Sequence, residues 1–252
     1  MSKKHKMIAI MQPTYMPWLG YFAMMDKVEQ FVFLDTVQIV GRSWQVRNKI
    51  KVKDEELLLT IPMSKELKRE ERKINNTRYC GNEWKENHLA TIKMAYKKAR
   101  FYEPTYTFLE ELYSRQSESI GDFNSFVIMN IARKIGIETE FLKASNLDAS
   151  GKKDELLVNL CKKVGAEKYL SAQGSASYIE VDSPGGEFAI NGVELFYQNY
   201  SHPEYRQLGN KFIPYIGIYD LLFNESFENA LDIIRSGNRE DIDYKTYRVK
   251  YM

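Results

Sequence analysis

Cysteine is scarce in this chain: Cys80 and Cys161 are its 2 cysteines, far apart and without the spacing of a metal cluster. They read as reduced thiols of a cytoplasmic protein, and no metal centre is expected. Long apolar runs are missing too. Nothing approaches the roughly 20 consecutive apolar residues of a membrane span, and the lysine-bearing N-terminus lacks the apolar stretch of an export signal. Charge of one sign is also in short supply. With 28% charged residues and a formal net charge of +2, nothing global asks for a nucleic acid or an anionic membrane as partner. Basic clusters occur at Lys3 to Lys6, Lys49 to Lys53 and Lys68 to Lys73, but acids or apolar residues interrupt or follow each, so they read as solvated faces. The common nucleotide and hydrolase signatures are absent. Without a Walker loop, GxGxxG, HExxH, paired CxxC or GxSxG, the simplest P-loop, dehydrogenase and metalloprotease readings fall away.

Chemically able side chains concentrate instead between Ile10 and Lys51, in IMQPTYMPWLGYFAMMDKVEQFVFLDTVQIVGRSWQVRNKIK. Two apolar runs, Met7 to Ile10 and Phe31 to Leu34, are too short for helices and are bounded by polar or turn residues, the pattern of buried parallel strands. Between them Pro17 suits a first helical turn, and Leu19, Phe22, Ala23 and Val28 recur at helical spacing. Strand, helix, strand is the expected unit. Ligands of such units sit beyond the carboxyl ends of the strands, where Gln12, Tyr15 and Trp18 fall after the first, and Asp35 and Gln38 after the second. Arg42, Trp44, Arg47 and Asn48 follow in a polar tail. Large aromatics such as Tyr15, Trp18, Tyr21 and Phe22 also serve as plain core. Gln12, Asp35, Arg42 and Arg47 fit that role less well, because they are costly to bury without partners. An arginine beside Trp44 and Asn48 suits a planar anion or a sugar.

Further along, Leu57 to Ile61 reads as a strand stopped by Pro62. Ser64 to Asn76 is charged and without apolar period, and reads as a mobile excursion of the kind that covers sites in α/β enzymes. Helices then dominate. Trp84, His88, Ile92 and Tyr96 recur every four residues, and the stripe by itself favours a satisfied, half-buried His88 over a ligand-facing one. Thr105 to Arg115 and Phe123 to Ile135 continue as helices, the latter ended by Gly136. Alternation then returns: a strand at Glu138 to Leu142, a helix at Asp154 to Val164, a strand at Lys168 to Leu170 ending at Ser171, and a small-residue turn, Gln173 to Ser177, whose amides could hold an anion. Phe188 to Ile190, Asn191-Gly192 and Val193 to Tyr197 read as a two-residue hairpin. Asp220 falls in a short helical run before an amphipathic helix from Phe227 to Ile234. The sum is one α/β unit over 1–252, a Rossmann-like parallel sheet core with a helical lobe inserted at about 84–135.

Several of these segments resemble the WbqC-like family, found with bacterial polysaccharide and O-antigen genes. They are QPTYMPWLGYF at Gln12 to Phe22, FVFLDTVQ at Phe31 to Gln38, RSWQVRNKIK at Arg42 to Lys51, Trp84 with His88, YLSAQGSASYI at Tyr169 to Ile179, and HPEYRQ with YDLLFN near the end. Two positions depart from the family pattern: Met11 stands where many members have histidine, and Ala172 where glycine is common.

The resemblance implies transfer of glycine, or another acyl group, to a nucleotide-linked amino sugar during surface polysaccharide assembly. A free carboxylate does not form an amide at neutral pH without activation, so the donor arrives as a thioester or aminoacyl-tRNA, or ATP with magnesium activates it. On the transfer reading Asp35 orients the amine or binds magnesium, and His88 takes its proton. Gln12, Tyr15, Trp18, Gln38, Arg42, Trp44, Arg47, Asn48 and Ser171 bind substrate, and Gln12, Tyr15, Asp35, Arg42, Arg47, Asn48 and His88 are expected in one cleft. A nucleotidyltransferase-like ligase is an alternative by fold analogy only. A non-catalytic binder of a sugar nucleotide or partner enzyme is the other, favoured by Met11. No nucleic acid is expected unless the donor is aminoacyl-tRNA.

Overall fold

The computed structural model describes residues 6–252; the basic cluster at Lys3 to Lys6 lies, apart from Lys6, outside them. Its centre is a six-stranded sheet in the order β5-β2-β1-β6-β7-β8. The strands are β1 (Met7–Met11), β2 (Gln30–Phe33), β5 (Glu140–Lys143), β6 (Lys168–Ser171), β7 (Glu194–Tyr197) and β8 (Ile242–Asp243), with β3 (Arg47–Val52) and β4 (Glu55–Thr60) forming a separate antiparallel hairpin. All pairs of the large sheet are parallel except β7 with β8.

Side-chain alternation explains why the central strands β1 and β2 are largely apolar on both faces. Ala9, Phe31, Phe33, Leu170 and Phe196 point to one face; Ile8, Ile10, Val32, Tyr169 and Leu195 point to the other, and each face has its own hydrophobic cluster. The first face is covered by α1 (Leu19–Asp26), α2 (Glu83–Tyr96), α3 (Tyr102–Ser114), α4 (Ile120–Lys134) and α8 (Tyr219–Ser236). The second carries α5 (Lys153–Lys163), α6 (Ala176–Ile179) and α7 (Gly186–Ile190), with α9 (Tyr244–Tyr251) beside them. The three helices expected as a lobe therefore share one core with α1 and α8.

Chain order in the parallel part is third-second-first-fourth-fifth, the doubly wound order of a Rossmann-like core. The chain moves outward from β1 to β2 and β5, then α5 returns it across the sheet to β6 on the far side of β1. The direction of winding reverses between β1 and β6, so the loops after those two strands splay apart and leave a crevice.

Two sequence expectations are corrected here. Asn191-Gly192 does not turn a hairpin: Phe188 belongs to the short helix α7, Gly192 (φ 72°) follows that helix, and β7 pairs in parallel with β6. Phe188 is buried against the Tyr169 ring at 4.7 Å, a packing demand that outweighs the local turn signal. The charged excursion after Ser64 is tied down rather than loose, since Ile74 is buried and Ile74 and Asn75 donate to the Val37 and Asp35 carbonyls.

The short run at Asp220 and the helix from Phe227 join end to end in α8, broken at Ser226, whose φ of 74° and ψ of 169° are nearly exclusive to glycine. Ser226 Oγ accepts from Asn229 N at 3.4 Å, a long N-cap bond. Glycine as cap costs only a few tenths of a kcal/mol, while the strained backbone costs about 1–3 kcal/mol. Ser226→Gly should therefore raise stability by about 1 kcal/mol, read as a melting temperature about 2–4 °C higher; an unchanged or lower midpoint would show that the kink is not strained.

Candidate functional site

At the β1/β6 crevice the extended chain after β1 alternates. Thr14 faces outward into two adjoining cavities, while Tyr15 points inward and is buried. The first cavity, about 270 Å³, is walled by aromatic rings: Trp18, Tyr21, Trp44 and Tyr215, with Met11, Pro17 and Asn48. The second, about 360 Å³, is more polar, with Gln12, Ser43, Gln45, Ser175 and Tyr178 around a floor of Ile10, Leu34 and Tyr169. Met11, Thr14 and Trp44 belong to both, so they form one divided cleft. None of the residues lining either half is a carboxylate, an imidazole, an amine or a guanidinium.

The cleft walls are held by buried amides. Tyr15 N donates to the Trp44 carbonyl at 2.8 Å, joining the two loops that bear the cleft. Asn48 Nδ2 donates to the carbonyls of Tyr15 and Met16 at 3.0 and 2.6 Å, and Asn124 Nδ2 to those of Pro13 and Gln45 at 3.1 and 2.7 Å. Gln45 Nε2 donates to Gln12 Oε1, and Tyr21 Oη to the Gln12 carbonyl at 2.9 Å. Gln12 is thus fixed through both its backbone and its amide.

Of the residues singled out from sequence, Gln12, Trp18, Trp44 and Asn48 line the cleft. Arg42 and Arg47 flank its Ser43-Trp44-Gln45 segment; Arg42 is exposed at φ 68° and Arg47 is half-buried at the start of β3. Neither guanidinium has an ion-pair or hydrogen-bond partner among the described residues. Ser171 ends β6 beneath Ala172, its hydroxyl buried without a hydrogen bond of good geometry. Gln38 is exposed and donates to the Arg69 carbonyl on the charged excursion.

Asp35, Tyr15 and His88 do not reach the cleft, which corrects the expectation that all seven named residues meet there. Asp35 is buried and accepts from Ser145 N at 2.9 Å and Ser145 Oγ at 2.7 Å, so its carboxylate is spent on tying β2 to the segment after β5. Tyr15 Oη lies 2.7 Å from His88 Nδ1 and 2.5 Å from Tyr113 Oη, inside the helical layer. His88 packs among Trp84 and Tyr15, and burial holds its pKa down at about 4, against a raising contact with the Thr60 backbone. The four-residue stripe that contains His88 is an interior stripe. Sequence reasoning missed Met11, Thr14, Gln45 and Tyr215 as cleft residues; the first three lie beside residues it named, while nothing local marks Tyr215.

Buried ionisable groups make stability depend on pH in opposed directions. Asp220 is pushed up to about 6 by burial, against hydrogen bonds from Tyr205 and Tyr96 and the charge of Lys51. His88, lowered from 6.5 to about 4, contributes stability that is complete above pH 6.5 and is lost as pH falls through about 4. His202, also lowered by burial, acts in the same sense. Asp220, raised from 3.8, contributes stability that is complete below pH 3.8 and is lost as pH rises through about 6. The slopes oppose one another between about pH 4 and 6. Asp220→Asn removes one of them, so the variant should lose stability on acidification more steeply than its parent, by up to about 1.4 kcal/mol per pH unit. Urea titrations across this range check the claim, and equal slopes would refute it.

The sequence pattern of the WbqC-like protein family matches residues 12–231. A Mycobacterium tuberculosis protein described as "Uncharacterized protein Rv1507c" is 30% identical over 231 residues, which cover 91% of this chain and 98% of the relative. No solved structure matches. The matched span contains the loops that form the divided cleft and the residues that hold it, and the chain belongs to the WbqC-like family.

Proposed function

We propose that the divided cleft binds a nucleotide-linked amino sugar and that the protein transfers an activated acyl group, glycyl in the first instance, to the sugar's amine. The observation that carries this reading is the cleft itself: two cavities at the winding reversal, one aromatic and one lined by amides and hydroxyls, without an ionised side chain in either lining. Trp18, Trp44 and Tyr215 offer faces on which a base or sugar ring stacks. Gln12 and Gln45, already locked to each other, offer the cleft fixed donors and acceptors. Arg42 and Arg47, unpaired at the flank, suit the diphosphate outside the uncharged interior.

The lack of charge has a chemical consequence. An ammonium group entering the cleft would leave water without finding a carboxylate, which favours the free amine, the nucleophilic form. Acyl transfer then needs a donor that brings its own leaving group, a thioester or an aminoacyl ester. ATP with magnesium fits less well, because no carboxylate or cation lines the cleft, and the described residues contain no group of three His, Cys, Asp or Glu suited to a metal. The same lack of charge favours, as second reading, a protein that binds the sugar nucleotide without turning it over.

Two measurements test the binding half. Replacing Arg47 with alanine should weaken calorimetric binding of uridine or thymidine diphosphate amino sugars by about one to two decades, since a charge-assisted bond contributes roughly 1.5–3 kcal/mol. Unchanged affinity would remove the diphosphate from that guanidinium. Affinity for the free amino sugar should rise about tenfold per pH unit up to the amine's own pKa, whereas its N-acetylated form should show no such slope. A preference for the ammonium form would sink the neutral-amine argument. Mass detection of glycylated product, with the glycyl thioester of N-acetylcysteamine as donor, separates transfer from binding alone.

A further inference from the structure

The irregular segment between β7 and α8 carries His202, whose Nδ1 lies 2.9 Å from the Pro203 carbonyl. Only a protonated ring nitrogen can donate to that oxygen, so the neutral ring holds its proton on Nδ1 and leaves a lone pair on Nε2. Burial favours the neutral ring, against the raising bond to Pro203. Nε2 itself is buried and has no hydrogen-bond partner, an unusual state for an acceptor that nothing completes.

The surroundings place that ring directly behind the aromatic cavity. The His202 ring stacks on Trp18 with centroids 6.1 Å apart and planes at 13°, and it meets the Tyr215 ring edge-on at 4.9 Å. Trp18 and Tyr215 both line the cavity, so His202 stands one side chain behind its wall. Tyr215 is the part of that wall suited to movement. The residue is 58% exposed, its hydroxyl has no hydrogen bond among the described residues, and its backbone sits at φ 60°, where residues other than glycine are strained.

Resting on the transfer reading, we propose that the incoming sugar displaces Tyr215 and that His202 Nε2 then receives the proton the amine sheds on acylation. The amine lone pair attacks the acyl carbon of the thioester or ester, and the new bond is N–C. The bond from that carbon to sulfur or oxygen breaks with its electron pair. One N–H proton passes to Nε2, which returns it to the departing thiolate or alkoxide. The imidazolium formed in between lies over the indole of Trp18, a cation–π contact that offsets part of its desolvation.

His202→Phe keeps the aromatic packing and removes the nitrogen; His202→Gln restores an acceptor oxygen but no useful base. With a thymidine diphosphate amino sugar and the glycyl thioester of N-acetylcysteamine, the Phe variant should lose about 100-fold in kcat and about tenfold in sugar affinity. The Gln variant should recover the affinity and keep the kcat defect. Parent-like kcat in either variant would overturn the role of His202 while leaving the transfer reading standing. A parent protein that binds the sugar nucleotide without forming product, or does not bind it, would bring down the transfer reading and this inference together.

Discussion

The loop between β1 and α1 has to remain folded at the ligand end of the sheet although neither a strand ladder nor a helix satisfies its carbonyls. Two asparagines solve this. Asn48 reaches the Tyr15 and Met16 carbonyls from the β3 hairpin, and Asn124 reaches those of Pro13 and Gln45 from α4. A buried carbonyl without a donor costs about 1–3 kcal/mol, so these amides decide whether the loop can exist in this form. Met16 adds to the demand: it holds φ 46°, in the left-handed region that favours glycine, immediately before Pro17. The hairpin and the helical layer are thus needed at the cleft for the donors they bring, as well as for the apolar area they cover.

Placing the charge outside and the amides inside gives the cleft a defined preference. An interior without ionised groups discriminates by ring shape and by neutral hydrogen bonds, and it excludes groups that must shed their hydration without finding a counter-charge. The carboxylates that the fold does bury are used elsewhere. Asp35 binds Ser145, and Glu180 accepts from Gly185 N, Tyr197 Oη and Arg248, which fastens α9 to the far side of the sheet. The proposed transfer accordingly rests on neutral groups at the cleft and on the leaving group that the donor would carry.

Much of the architecture was legible because apolar alternation and strand-helix spacing are local signals. Ile8 and Ile10 opposite Ala9, and Val32 opposite Phe31 and Phe33, encode a sheet buried on both faces within a few residues. Gln12, Trp18, Trp44 and Asn48, singled out on the segments that follow the first strand and precede the hairpin, lie on the loops that line the cleft. What local reading could not supply was direction. Asp35 and His88 are residue types that catalyse, and only the fold shows that one faces Ser145 and the other faces Tyr15. Nor could it find Tyr215 or Asn124, which meet the cleft from far along the chain. Asn191-Gly192 illustrates the converse error, where a strong local turn signal yields to the burial of Phe188.

The aromatic wall depends on a buried charge as much as on packing. Lys51 is almost wholly buried, with Asp54 at 3.7 Å and the charge of Asp220 acting on it from the first turn of α8. Its ammonium donates to the Lys211 carbonyl and to Gln207 Oε1. Gln207 in turn brackets Ile213, accepting from its N–H at 2.9 Å and donating to its carbonyl at 3.0 Å. Ile213 stands two residues before Tyr215. A buried lysine without partners would be strongly destabilising, so the segment that satisfies Lys51 is held by the same bonds that position the Tyr215 backbone. Beyond Tyr215 the chain is held again, with Gly217 N donating to the Lys49 carbonyl at 2.9 Å and Ile218 N to that of Pro17 at 3.0 Å, so the Tyr215 backbone is fixed on both sides and only its exposed ring is left to turn while the wall's foundation stays in place.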